Sequence, residues 1–149
     1  MPDQGPAALR LFVDSSVLFA GALSNTGASY ALLSVAGVGL VDARCSPFVR
    51  DEVLGSAARK LPGILPALKL LLAETVKEGA GAPLELCDAY KPYADPKDHV
   101  VLADAIHQGC SHLVTLNEKD FWPPSDRITV LRPGPLMQQL RASLLTLGR

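Results

Sequence analysis

Leu9-Arg10-Leu11-Phe12-Val13-Asp14-Ser15-Ser16-Val17-Leu18 is the stretch that decides the fold. Leu9, Leu11, Phe12 and Val13 run up to an acid and stop, and helix-compatible residues continue from Ser16 to Leu23. A short apolar run bounded by a polar break reads as a buried strand, and the residues after Asp14 as a turn into a helix. Outward from there, Asn25-Thr26-Gly27 is a break and Ala28 to Ala36 supports a second helix. Gly37 and Gly39 then punctuate the chain before a brief strand around Leu40 to Ala43.

Ser46-Pro47 starts the next helix, with Ser46 as N-cap and Pro47 at the first helical position, where its missing N–H costs nothing. Val49, Val53 and Ala57, with Leu54 and Leu61 alongside, supply its apolar stripe. Pro62-Gly63 ends it, and Pro66 to Glu78 forms another helix closed by Gly79-Ala80-Gly81. Leu84-Glu85-Leu86 reads as a strand candidate and Cys87 to Ala94 as loop. Asp95-Pro96-Lys97-Asp98 opens a helix capped by Asp95, which runs to about Gln108 and stops at Gly109. His112 to Thr115 and Ile128 to Leu131 are further strands, and Pro135 to Leu147 is a closing helix striped by Leu136, Leu140, Leu144 and Leu147. Core packing explains that stripe, with a dimer surface as the alternative. Short strands alternating with helices predict an α/β domain with a mainly parallel sheet. No repeat or long linker divides residues 1–149, so one domain is expected.

Composition narrows the function. The chain has 149 residues, a net charge of -1, 48% hydrophobic and 19% charged residues. It is too apolar for disorder, and it carries no bulk positive charge for binding nucleic acid. Cys45, Cys87 and Cys110 are odd in number and widely spaced, which fits a reducing cytoplasm rather than a disulfide framework. The uncharged stretch from Ser15 to Val41 is interrupted by Ser24-Asn25-Thr26-Gly27, so no membrane span is expected. Asp14 and the single basic Arg10 also speak against a signal peptide.

In open parallel sheets ligands bind beyond the carboxyl ends of the strands. Asp14 ends the first strand, Glu52 lies early in the Ser46 helix and Asp98 in the first turn of the Asp95 helix. Asn117, Glu118 and Asp120 follow the strand that ends at Thr115. Carboxylates gathered in one pocket repel and raise one another's pKa values unless a cation neutralises them. Hard oxygen donors suit Mg²⁺ or Mn²⁺. Each acid alone has a plainer explanation. Asp14 fits a helix cap, Glu52 a solvated residue near a helix start, and Asp98 a capping partner of Asp95. Asp104 fits a surface position or a supporting place behind the acids. The case rests on the set.

Leu11 to Leu18, the Ser46-to-Glu52 helix start, Asp95-Pro96-Lys97-Asp98 through Ala105, and Leu113-Val114-Thr115-Leu116-Asn117 together resemble the PIN-domain family, which includes the VapC-type toxins. The four motifs stand in order from about Leu9 to Phe121. The resemblance implies a three-layer α/β/α domain whose acids hold one or two Mg²⁺ or Mn²⁺ ions and hydrolyse RNA phosphodiester bonds. It also implies a cognate antitoxin protein and a homodimer. Asp14, Glu52 and Asp98 match the family acids, as catalytic residues and metal ligands. Asn117 stands where a fourth acid is usual; its carbonyl can ligate a hard cation but brings no charge. Asp120 compensates if the loop folds back. Ser15 supports the site, and Thr115 would orient a water or phosphate oxygen.

Other features carry less. His107, Cys110 and His112 match no zinc spacing. His99 is within reach of a phosphate but also fits a solvated helix position. Gly37-Val38-Gly39 lacks the dinucleotide fingerprint. Phe121-Trp122-Pro123-Pro124 is a base-stacking platform or, better, an anchored loop on the core. Arg50, Arg59, Lys60, Lys91, Lys97 and Lys119 flank the acidic motifs and are placed to track an RNA backbone. Two rivals to an RNA-cleaving enzyme remain. One is a catalytically weak PIN domain that binds RNA or a protein without cutting, kept open by Asn117. The other is a receiver-type domain, which would want a second acid beside Asp14 rather than Ser15.

Overall fold

The computed structural model describes residues 8–147. Its centre is β1 (Leu9–Val13), in which Leu11, Phe12 and Val13 are fully buried. A strand buried on both faces must be covered by helices on both, and this one is. It pairs in parallel with β2 (Val41–Cys45) on one side and with β4 (His112–Val114) on the other. β3 (Lys77–Glu78) and β5 (Thr129–Leu131) form the edges, giving the order β3-β2-β1-β4-β5, parallel throughout.

The helices follow their local signals. α1 (Ser15–Leu23) and α2 (Ala28–Gly37) connect β1 to β2, and α3 (Pro47–Lys60) and α4 (Leu65–Thr75) connect β2 to β3. Ser46 caps α3 by accepting the Val49 N–H, and Val49, Val53 and Ala57 are the buried stripe the spacing predicts. α5 (Leu84–Ala89) and α6 (His99–His107) return the chain to β4. Right-handed crossovers put α1 to α4 on one face and α5 and α6 on the other. The packing agrees: α1 lies against α2, α3 and α4, and α5 against α6. The fold is thus the three-layer α/β/α arrangement, and the order of strands reverses between β1 and β4.

Several local expectations are corrected. Leu84-Glu85-Leu86 is helical, because Pro83 opens α5 and Cys87 buries against the core. The helix read as running to Glu78 ends at Thr75, and Lys77–Glu78 is a strand on the edge of β2. Asp95 does not cap a helix. Its Oδ1 accepts the Lys97 N–H at 3.2 Å in a turn, and α6 begins only at His99. Asp104 lies at the buried side of α6, where its Oδ1 accepts the Ala82 N–H at 2.7 Å. It pins a loop rather than standing on the surface or behind the acids. In α7 (Pro133–Leu147) Leu136 is buried, Leu140 half-buried and Leu144 exposed; the Leu147 side chain lies outside the described residues. Among the described residues no helix is long and apolar enough to cross a membrane.

Candidate active site

The break in strand order lets the loops after β1 and β4 diverge and open a crevice. Asp14 stands at its floor. As N-cap of α1 it accepts the Ser15 N–H at 2.8 Å through Oδ1. Its Oδ2 accepts the Thr115 hydroxyl at 2.8 Å and the Ser16 hydroxyl at 3.3 Å. Asp14 is only 5% exposed. Burial pushes its carboxyl up to about 6; the bonds from Thr115 and Ser15 act against that rise, and the charges of Glu52 and Asp98 add to it.

Thr115 is fully buried just past β4, where its hydroxyl donates to Asp14 and accepts the Asn117 N–H at 3.0 Å. It therefore holds the carboxylate and the following loop, rather than standing free to orient a water or phosphate oxygen. Ser16, which the sequence did not single out, does the matching work from α1 by accepting the Leu116 N–H at 3.1 Å. No local signal marks it, because the Leu116 N–H it serves lies 100 residues along the chain and meets it only in the fold.

Glu52 comes from α3. Val49 and Val53 fill the buried side of that helix, and Glu52 is left exposed where the Ser15 hydroxyl reaches its Oε1 at 2.8 Å. Ser15 thus touches both acids, through its N–H and its hydroxyl.

Asp98 precedes α6 and makes no capping bond with its side chain, so its carboxylate is left for the crevice. Burial pushes its pKa up despite Lys97 beside it. The Lys97 Nζ lies 3.1 Å from Asp98 Oδ2, 3.3 Å from Asp120 Oδ2 and 3.4 Å from Asp95 Oδ1. Asp120 reaches this group because its loop does fold back, the Asp95 N–H donating to the Asp120 carbonyl at 2.9 Å. Asn117 is exposed on the rim, and its side chain makes no capping bond to the turn that follows.

Among the described residues no three His, Cys, Asp or Glu side chains converge closely enough to enclose an ion. The donor set still fits a hard divalent cation. It is all oxygen, and the burial of Asp14 beside two like charges is the imbalance such a cation relieves. His107, Cys110 and His112 form no such group either, His112 instead lying 2.7 Å from the Ser111 hydroxyl. His99 Nδ1 lies 2.8 Å from the Pro96 carbonyl.

A groove of about 480 Å³ leads from Ser15 and Glu52 past Phe19 and Ser56 to Arg59 and Lys60. Of the other flanking cations, Arg50 pairs with Glu78 at 2.8 Å and Lys91 with Asp88 at 3.0 Å. Phe121 is buried as an anchored loop requires, but Trp122 is half exposed.

No protein-family model and no curated protein sequence matches the chain. Among solved structures it is similar to VapBC2 from Rickettsia felis, determined bound to a DNA fragment from its promoter. The TM-score is 0.62 at 14% identity, over 82% of this chain and 97% of that one. It is also similar to PAE2754 from Pyrobaculum aerophilum, with a TM-score of 0.61 at 19% identity over 93% and 94% of the two chains. At these identities the likeness is one of fold, and the fold is the PIN-like α/β/α one that the motifs predict.

Proposed function

We propose that this chain is a divalent-metal-dependent endoribonuclease of the VapC toxin kind, hydrolysing RNA phosphodiester bonds in the crevice of Asp14, Glu52 and Asp98. One observation carries the proposal. Asp14 is buried beside two further carboxylates and, among the described residues, no lysine or arginine pairs with it. Structural acids seldom take that position, whereas catalytic acids regularly do. Asp14 and Asp98 would hold Mg²⁺ or Mn²⁺, with Glu52 as a further ligand or as base for the attacking water. Asn117 contributes a neutral carbonyl at most, and Asp120 an outlying carboxylate. The cation supplies a lowered pKa to bound water and stabilises charge on the phosphate. Ser15, Ser16 and Thr115 act as positioning residues by fixing both oxygens of Asp14 and the near oxygen of Glu52.

The likeness to a VapBC2 chain supports an antitoxin as protein partner. Homodimerisation belongs to the same proposal. The three free, buried cysteines fit a reducing cytoplasm. A second reading, an RNA- or protein-binding PIN domain that does not cut, is favoured by Lys97 already neutralising Asp98 and by Asn117 in place of an acid.

The test is cleavage of a mixed-sequence fluorogenic RNA with Mn²⁺, with EDTA, and by Asp98→Asn. Cutting lost under EDTA and in the variant supports the nuclease. Cutting that survives the substitution removes Asp98 from the site. A folded protein that neither cuts nor binds Mn²⁺ is the binding module.

A further inference from the structure

Beside the crevice lies a small ribbon outside the main sheet. Ala94 and Phe121 form an antiparallel bridge. On either side of it the Asp95 N–H donates to the Asp120 carbonyl at 2.9 Å and the Trp122 N–H to the Tyr93 carbonyl at 2.8 Å. Side chains alternate along extended chain. Ala94 and Phe121 turn inward and are 3% and 6% exposed. Around that inward pair Tyr93 and Trp122 are exposed, and Asp95 and Asp120 half-buried. The two acids lie together at the end that clasps Lys97 and adjoins Asp98. One step further out the Trp122 backbone is bonded to that of Tyr93, whose ring packs against Tyr90 at 5.9 Å between centroids.

That arrangement has the form of a recognition surface. Trp122 is 51% exposed, and Tyr93 36%. The indole is not loose, because its Nε1–H donates to the Pro92 carbonyl at 2.7 Å. A large aromatic face is thus held in water with its polar edge already satisfied. Such a face binds flat partners with little loss of side-chain freedom.

We propose, taking the RNA-cleaving function above for the identity of the strand, that Trp122 with Tyr93 is a stacking platform for an unpaired nucleobase next to the scissile phosphate. Stacking accepts every base, because each has a π face. The platform therefore selects unpaired over paired RNA and shows little preference among the bases. A base inside a duplex keeps its own neighbours and cannot lie on the indole.

Trp122 is the single tryptophan of the chain, so its emission reports directly on stacking. The experiment titrates the Asp98→Asn protein, in Mn²⁺, with a mixed-sequence RNA hexamer, the same hexamer in a duplex, and an abasic ribose-phosphate hexamer. The unpaired hexamer is expected to quench the emission and to bind about tenfold more tightly than the abasic strand. With labelled RNA and anisotropy as readout, Trp122→Ala is expected to lose about tenfold in affinity, and Trp122→Phe, which keeps a ring but no N–H, to retain most of it. Equal binding of hexamer and abasic strand overturns the platform, as does unchanged affinity in a Trp122→Ala protein whose circular dichroism shows it folded. Quenching by RNA in a protein that never cuts leaves the platform and removes the nuclease. Cutting by Trp122→Ala at unchanged KM does the reverse.

Discussion

The ammonium of Lys97 lies 3.1 Å from Asp98 Oδ2 and 3.3 Å from Asp120 Oδ2, so the chain itself supplies a cation to the outer half of its acidic crevice. Hydrogen bonding to Asp98 holds the lysine's pKa well above its ordinary value, so it is charged across the working pH range. Any divalent ion that uses Asp98 competes with it. These are exposed pairs, weak and screened by salt, so the competition is one a divalent ion can win.

Lys97→Met is accordingly expected to tighten Mn²⁺ binding about three- to tenfold at low ionic strength, with the gain shrinking as salt is added. Calorimetric titration of metal-stripped protein reads this directly. An affinity equal to that of the unsubstituted protein at low salt would show that Lys97 is no competitor.

Asp14 makes stability depend on pH in the direction opposite to that of a salt-bridged acid. Its folded-state pKa of about 6 lies above the ordinary aspartate value of 3.8, so the folded protein holds the proton more tightly. Stability from this group is full below the unfolded pKa and is lost as pH rises through the folded one. The ionised carboxylate costs roughly 3 kcal/mol above that range without a cation. Asp14→Asn is therefore expected to abolish cleavage yet raise the melting temperature in EDTA, and to raise it more at pH 8 than at pH 5. Equal effects at both pH values would refute the burial cost.

Removing the Thr115 hydroxyl leaves Asp14 Oδ2 with only the longer Ser16 bond and the Asn117 N–H without its partner. Thr115→Val is expected to cost about 1–3 kcal/mol in urea unfolding, whereas Thr115→Ser, which keeps the hydroxyl, loses much less. Similar losses in both variants would assign the effect to the methyl group.

Restoring a carboxylate at the rim tests the departure at Asn117. Asn117→Asp adds a negative hard donor and is expected to strengthen Mn²⁺ binding several-fold, about the effect of one added charge near an exposed cation site. Unchanged binding would place residue 117 outside the metal's reach.

Much of this site is legible in the chain because its acids sit beside strong local signals. Asp14 ends an apolar strand, and Glu52 lies on a helix whose start is marked by Ser46-Pro47. The strand Lys77–Glu78 is silent because two exposed charged residues have no apolar alternation; only the free edge of β2 makes them a strand. Leu84-Glu85-Leu86 alternates as a strand would, and only Pro83 and the burial of Cys87 make it helical. Local preference also misplaces the cap. Asp95 and Asp98 are equally good helix starters, and the turn that engages Asp95 is what leaves Asp98 free. The parts played by Ser16 and Lys97 depend on the loops after β4 folding back, which no local pattern encodes.

The order of the strands also bears on when the crevice comes into being. β1 is finished early in synthesis, yet its second flanking strand begins only at His112, and the hydroxyl that fixes Asp14 lies 101 residues further along the chain. A nascent chain emerges amino end first. Until that late strand is made and docked, Asp14 and Glu52 are scattered charges on an unclosed sheet. The crevice is therefore among the last features the chain acquires as it is made.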